Sequence, residues 1–272
     1  SGHDLIFTTS FNYMDQTLEV AKEFPNVKFE HATGYKRTDN VATYSSRFYE
    51  GRTIAGHIAG KESKTGVVGY IASFPIPEVV RGINAFYLAA SKVNPDIKLK
   101  IIWAYTWYDP GKEADAAQIL INQGADIIVQ HTDTYAPCQV AQKNGVKAFG
   151  QASNQYDFCP DAHLTAIIDE WGPYYVERAK ALADGTWEST DTWKGLESGM
   201  VEMAPYRNMH PDTKFEAIAL QKGLTKGEIH SFEGPIYNQA GELMVPEGEV
   251  APDGMLLGMN WYVKGIDGVV PK

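Results

Sequence analysis

The chain has 272 residues, of which 44% are hydrophobic and 21% are charged. This length suits one large or two medium domains, and the apolar share excludes a mainly disordered chain. The net charge of -10, with no basic cluster longer than Lys36-Arg37, argues against binding of a nucleic-acid phosphate backbone. No apolar run reaches the ~18 residues of a membrane span, and the first residues carry no signal sequence.

Short apolar runs alternate with amphipathic stretches along much of the chain, which is typical of βα units around a parallel sheet. Strands are predicted at 4–8, 27–31, 41–44, 67–72, 98–104, 127–130, 147–150 and 164–168. Helices are predicted at 15–24, 77–94 and 110–123, the last with Asp109 as its cap and Pro110 in its first turn. The predicted fold class is α/β, with doubly wound parallel sheets.

The sequence also repeats itself, which predicts two similar α/β lobes. Three segments recur in the same order at nearly one offset: 2–9 with 124–131, 26–28 with 145–147, and 41–43 with 164–166. Two βα units, starting near Val67, precede the second copy, whereas only Ser1 precedes the first. We therefore expect the N-terminal lobe to be truncated by two βα units.

This organisation predicts four segments. They are a partial N-terminal lobe at 1–45, a crossover helix at 46–66, the C-terminal lobe at 67–168, and the return crossover, hinge strands and C-terminal hairpin at 169–272. Within the last segment, 200–203 predicts a strand and 232–245 predicts the hairpin, turning around Asn238 to Gly241.

Ligands of parallel α/β sheets bind at the carboxyl ends of the strands. There the sequence combines aromatic rings with hydrogen-bonding groups, as a planar heterocycle requires, since rings stack on its faces and polar groups bind its edge. The candidate ligand-binding residues are Ser10, Phe11, Trp107, Asp133, Ser153, Asp169 and Trp171. Phe11 and Trp107 could instead be packing aromatics. Asp133 and Asp169 could cap the helices that follow them.

The two cysteines, Cys138 and Cys159, follow adjacent predicted strands. If their loops approach each other, a disulfide would contribute about 3 kcal/mol to stability and would indicate an oxidising compartment. Two free buried thiols are the alternative.

Catalytic motifs are missing from the sequence. There is no Gly-x-Ser-x-Gly elbow, no His-Glu-x-x-His and no phosphate loop. Asp157, Asp161 and Asp169 are spread out, so they do not form the grouped carboxylates of a metal-dependent hydrolase. We therefore expect a binding protein rather than an enzyme, with no metal and no cofactor.

Eight stretches, which include Trp107-Tyr108-Asp109-Pro110-Gly111-Lys112-Glu113, then point to a family. They lie at 2–11, 28–34, 48–52, 55–60, 72–82, 107–113, 123–128 and 232–236. In this order they resemble the basic membrane protein family of ABC-transporter substrate-binding proteins, which includes purine-nucleoside receptors. The resemblance implies a type I periplasmic-binding-protein fold. Family members begin with a further βαβα stretch, which agrees with the expected truncation.

We therefore predict an extracytoplasmic solute-binding protein of an ABC importer, periplasmic or membrane-anchored, that captures a purine base or nucleoside between two lobes. Its partners would be the ligand and an ABC permease, and the full-length protein could carry a lipid anchor. Two alternatives stay open: a ligand-sensing domain of a signalling system, and a hydrolase of small molecules such as nucleosides.

Overall fold

The computed structural model describes residues 2–272, which form two compact units. Unit 1 comprises the chain up to Arg47 together with Asp169–Val201, and unit 2 comprises Phe48–Ile168 together with Glu202–Lys272. Within residues 2–272, unit 1 contains a sheet of four strands and unit 2 a sheet of six.

The helices and strands alternate through most of the chain. The strands are β1 (Leu5–Thr8), β2 (Lys28–Ala32), β3 (Val41–Ser46), β4 (Val67–Ala72), β5 (Lys98–Trp103), β6 (Ile127–Gln130), β7 (Lys147–Ala152), β8 (His163–Asp169), β9 (Asp191–Lys194), β10 (Val201–Met203), β11 (Ile236–Tyr237) and β12 (Leu243–Val245). The α-helices are α1 (Met14–Glu23), α2 (Tyr49–Glu62), α3 (Pro77–Val93), α4 (Pro110–Asn122), α5 (Ala136–Lys143), α6 (Gly172–Ala183), α7 (Pro211–Thr225) and α8 (Asp253–Leu257).

In unit 1 the strands follow the order β1-β2-β3-β9, and each pairs in parallel with its neighbour. Phe29 and Val41 pack with Met14 of α1. Tyr44 packs with Tyr174 of α6. Because side chains alternate along a strand, Val41 and Tyr44 face opposite sides of the sheet. Helices α1 and α6 therefore cover opposite faces.

In unit 2 the order is β10-β8-β7-β6-β4-β5. Leu120 of α4 packs with Ile71 and Ile128 in an apolar core. Helices α2 and α3 approach each other so closely at Gly56 that a Cβ there would overlap the Phe86 carbonyl oxygen. A residue without a side chain is therefore required at this crossing.

The internal repeat is visible in the strand order of the two sheets. Strands β1, β2, β3 and β9 of one sheet match β6, β7, β8 and β10 of the other, each set hydrogen-bonded in sequence. The predicted hairpin is also present, because Ile236 pairs antiparallel with Val245. Among residues 2–272, the helices are too short or too polar to cross a lipid bilayer.

Candidate functional site

Three adjacent strands of unit 2 end on the same side of their sheet. Strands β5, β4 and β6 lie side by side in parallel, so the residues that follow them are neighbours. The Asp133 amide donates a hydrogen bond of 2.8 Å to the Trp107 carbonyl oxygen. The structure thus brings two sequence-predicted residues together. We call the residues that follow β4, β5 and β6 the unit 2 strand-end cluster. It consists of Ser73, Trp107, His131, Thr132 and Asp133.

Four side chains of this cluster carry buried polar atoms without a hydrogen-bond partner among residues 2–272. The atoms are Ser73 Oγ, Trp107 Nε1, His131 Nδ1 and Thr132 Oγ1. Buried polar groups of folded proteins nearly always have a partner. The cluster therefore has the hydrogen-bonding capacity to bind a small polar molecule.

Asp133 contributes a negative charge to the cluster. Although the residue is exposed at the surface, the atoms packed around its carboxylate desolvate it, and the charges of Glu113 and Glu78 repel it. Together these effects raise the pKa of Asp133 to about 6. The carboxylate is thus mostly ionised at neutral pH and able to accept hydrogen bonds from N–H donors.

His131 lies two residues before Asp133 and, unlike that carboxylate, carries no charge at neutral pH. Its Nε2 is 3.4 Å from Glu78 Oε1. Burial lowers the pKa of His131, the contact with Glu78 opposes this, and the charge of Arg52 lowers the pKa further, so that the net shift is downward. The ring is therefore neutral at pH 7, and it acts as a hydrogen-bonding group rather than as a cation.

Trp107 is the main aromatic of the cluster, and it is only partly buried. Its ring centroid lies 5.4 Å from that of Phe74 and 6.2 Å from that of His131. Trp107 therefore packs against its neighbours, and the residue as a whole stays partly exposed to solvent.

Ser153 follows β7, the next strand along this sheet. It is exposed, and its amide donates to the Gln151 carbonyl oxygen at 2.7 Å. Ala152, just before it, has a φ of 55°, a left-handed conformation that is uncommon for a residue with a Cβ. The Gln151 side chain accepts a hydrogen bond from Arg52 of α2, so the strand just before Ser153 is linked to that helix.

Cys138 and Cys159 form a disulfide with their Cα atoms 5.8 Å apart, a normal separation for such a bridge. Cys138 lies on α5, which follows β6, and Cys159 follows the 3-10 helix Tyr156–Phe158 beyond β7. The bridge therefore ties together the chain segments that follow two neighbouring strands.

In unit 1, Ser10 and Phe11 follow β1, where the backbone is held by a buried histidine. His31 Nε2 donates to the Ser10 carbonyl oxygen at 2.9 Å. His31 Nδ1 accepts from the Thr8 hydroxyl at 2.7 Å, and the Thr17 hydroxyl, 3.1 Å from Nδ1, donates to Thr8 Oγ1 at 3.3 Å. Burial lowers the pKa of His31, which agrees with a neutral ring in this tautomer. The strand-end rule does not point to His31, because this residue lies within β2 rather than after it.

Phe11 and Trp171 each contact another aromatic ring of unit 1. Phe11 lies 5.3 Å from Tyr35, with the two ring planes at 31°. Trp171 lies 5.1 Å from Tyr44 in an edge-to-face arrangement. Both side chains are partly buried, so packing accounts for part of each ring.

Asp169 is the last residue of β8, and its Oδ1 accepts a 2.6 Å hydrogen bond from Ser46 at the end of β3. Trp171, not Asp169, is the N-cap residue of α6, and the Glu170 carboxylate accepts from the Gly172 amide. Likewise the N-cap residue of α5 is Tyr135 rather than Asp133. The two aspartates therefore do not occupy N-cap positions.

Comparisons with known proteins agree with this architecture. Residues 1–233 match the family model of PnrA-like ABC transporter substrate-binding proteins. The chain is 57% identical over 272 residues to a purine-binding protein of Brucella abortus (strain 2308), covering 100% of this chain and 78% of that protein. It is 34% identical over 270 residues to a Haloferax volcanii protein described as an ABC transporter glucose-binding protein, covering 99% of this chain and 66% of that protein.

Among solved structures, an ABC transporter solute-binding protein of Aeropyrum pernix K1 aligns with a TM-score of 0.72 at 18% identity, covering 83% of this chain and 76% of that one. This likeness confirms the predicted fold class, an α/β fold of the type I periplasmic-binding-protein kind. The family model covers most of the chain. The chain therefore belongs to the family of PnrA-like ABC transporter substrate-binding proteins.

Proposed function

We propose that this chain is the extracytoplasmic receptor of an ABC importer, and that it binds a purine base or nucleoside for delivery to a permease. The observation that carries the proposal is the 57% identity, along the whole chain, with a purine-binding protein. The family description and both relatives name binding proteins. We therefore propose capture without bond making or breaking.

The chemistry of the unit 2 strand-end cluster supports a purine. The faces of a purine are flat and aromatic, so Trp107 can stack on one of them. Such stacking is worth about 1–3 kcal/mol per base. The purine edge carries ring nitrogens that accept hydrogen bonds, which suits the hydroxyl donors of Ser73 and Thr132. Purine N–H groups donate, and the Asp133 carboxylate is their acceptor in this proposal.

In unit 1 the proposed ligand contacts are Ser10, Phe11, Asp169 and Trp171. We expect Trp171→Ala and Asp169→Ala to weaken purine binding while circular dichroism of the variants stays that of the parent. Affinity that is unchanged in both variants would remove these two residues from the site.

A sugar is the second candidate ligand, because the Haloferax relative is described as glucose-binding. Calorimetric titration with adenine, hypoxanthine, guanosine and glucose separates the two. We expect saturable heat with at least one purine and a Kd of about 1 μM or tighter, equivalent to about -8 kcal/mol. Heat from glucose with none from the purines would overturn the purine proposal.

A further inference from the structure

The side chain of Glu113 joins the two loops that carry most of the unit 2 strand-end cluster. Its Oε1 accepts a hydrogen bond from the Asp109 amide at 2.9 Å. Its Oε2 accepts from the Thr134 amide at 3.1 Å and from the Thr134 hydroxyl at 2.7 Å. Glu113 is 0% exposed. Both oxygens of a buried carboxylate are thus used to link one loop to the other.

The residues bonded to Glu113 adjoin the proposed ligand contacts. Asp109 closes the loop that contains Trp107, and Thr134 directly follows Asp133. The Asp133 amide also donates to the Trp107 carbonyl oxygen, so the same loops are joined at a second point. Any movement of Glu113 would therefore be transmitted to both ligand-contacting segments.

The side chain of Gln130 at the end of β6 also holds the loop that carries Asp133. The side-chain Nε2 of Gln130 donates to the backbone carbonyl oxygens of Thr132 and Thr134 at 2.7 and 2.6 Å. The Asp133 loop is thus bonded to β6 through Gln130 and to α4 through Glu113. The loop after β5 has its own bond to α4, because the Asp109 carboxylate accepts from the Lys112 amide.

We propose that Glu113 is a positioning residue that sets the separation of the Trp107 and Asp133 loops before the ligand arrives; this inference rests on the proposed function. Groups that are already in place lose less conformational freedom on binding. A carboxylate suits the task because both loops present donors to it. A glutamine would present an NH2 group to one of these donors.

The first test is independent of any ligand. Hydrogen exchange of the Asp109 and Thr134 amides is expected to be faster in Glu113→Gln than in the parent, because both amides donate to this carboxylate. Exchange at the parent rate in peptides covering 104–109 and 131–135 would overturn the proposal whether or not purines bind.

The second test is purine affinity in a matched pair at position 134. Thr134→Val removes the hydroxyl that donates to Glu113 and keeps the shape, whereas Thr134→Ser keeps the hydroxyl. We expect Thr134→Val to bind purine about threefold to tenfold more weakly, a loss the size of one ordinary hydrogen bond, because the effect on the ligand is indirect. Thr134→Ser should bind as the parent does. Equal affinity in the pair and in Glu113→Gln would contradict a positioning role.

The third readout is the pH dependence of binding. The charged groups that act on Asp133 are Glu113 from α4 and Glu78 from α3, in addition to the desolvation of its carboxylate. Removing the Glu113 charge should move the pH midpoint of purine binding downward in Glu113→Gln, whereas Thr134→Val should leave the midpoint in place. A midpoint that does not move in Glu113→Gln would contradict the role.

The control is Glu216→Gln on α7, which changes a hydrogen-bonded glutamate that contacts Lys61 and His57. It should leave both affinity and midpoint unchanged. If the parent protein binds no purine, the proposed function fails, and Glu113 is then judged by the exchange rates alone.

Discussion

Trp107 is the residue at which ligand stacking is easiest to test. We expect Trp107→Ala to weaken purine binding about 5-fold to 150-fold, since base stacking on an aromatic ring is worth about 1–3 kcal/mol. Trp107→Phe should recover part of the loss. Calorimetry gives the Kd values, and Phe215→Ala on α7, where the ring is 74% exposed, is the control. Parent affinity in Trp107→Ala would assign this ring to packing alone.

Asp133 gives binding its expected pH dependence. Its pKa is raised to about 6 by the atoms that desolvate the carboxylate and by the charges of Glu113 and Glu78. The carboxylate is therefore lost by protonation as pH falls through about 6. Purine binding should therefore tighten as pH rises from about 5 to about 8. Asp133→Asn should bind more weakly above pH 6 and lose this dependence. A parent profile that stays flat over this range would exclude a carboxylate contact.

Glu30 shows how a buried charge stabilises a whole element of unit 1. It lies in β2, is 0% exposed and accepts from Tyr174, Arg178 and Trp187. We expect Glu30→Gln to lower the free energy of unfolding by about 3–5 kcal/mol, because Arg178 would be left as a buried unpaired charge. Urea denaturation measures this. Glu19→Gln, which breaks only the exposed pair with Lys22, should cost about 1 kcal/mol or less.

The secondary-structure elements were predictable from local patterns. The predicted strand at 67–72 agrees with β4 at both ends, because Gly66 and Ser73 bound the apolar run on either side. Helices α3 and α4 begin at Pro77 and Pro110 as predicted, because proline suits the first turn of a helix. All eleven elements predicted in the first two thirds of the chain are confirmed, with ends that differ by up to two residues.

The side chains that hold the loops of the candidate site in place were not predictable from local patterns. Glu113 occupies a position in a helix where a charged residue ordinarily faces solvent, and its bond to Thr134 spans 21 residues. His31 likewise bonds Ser10 across 21 residues. Such contacts depend on how loops and helices pack, and periodicity carries no signal of them. The strand-end rule finds candidate contact residues, but not the groups that hold them.

At the scale of the whole molecule, His163 links stability to pH. It is 0% exposed, and its pKa is lowered to about 4 by burial and by the charge of Arg207. The folded state therefore binds this proton less readily than the unfolded state, whose histidine titrates near 6.5. The stability that neutral His163 provides is complete above about pH 6.5. It is lost as pH falls from there towards 4.

We expect His163→Phe to reduce the loss of unfolding free energy between pH 6.5 and 4, by at most about 3 kcal/mol. Urea denaturation at a series of pH values measures the difference from the parent. His210→Gln, a change at an exposed histidine, should retain the parent slope. A parent slope in His163→Phe would show that other groups carry the acid sensitivity.

The buried disulfide between α5 and the segment after β7 can be used to measure local opening of unit 2. Both cysteines are 0% exposed, so a reductant in solution reaches their sulfur atoms only when the surrounding structure separates. The rate at which the disulfide is reduced under native conditions therefore counts these openings directly. If a ligand holds the neighbouring loops together, adding it should slow the reduction. The reduction rate of the bridge then reports how often the region beside the site opens.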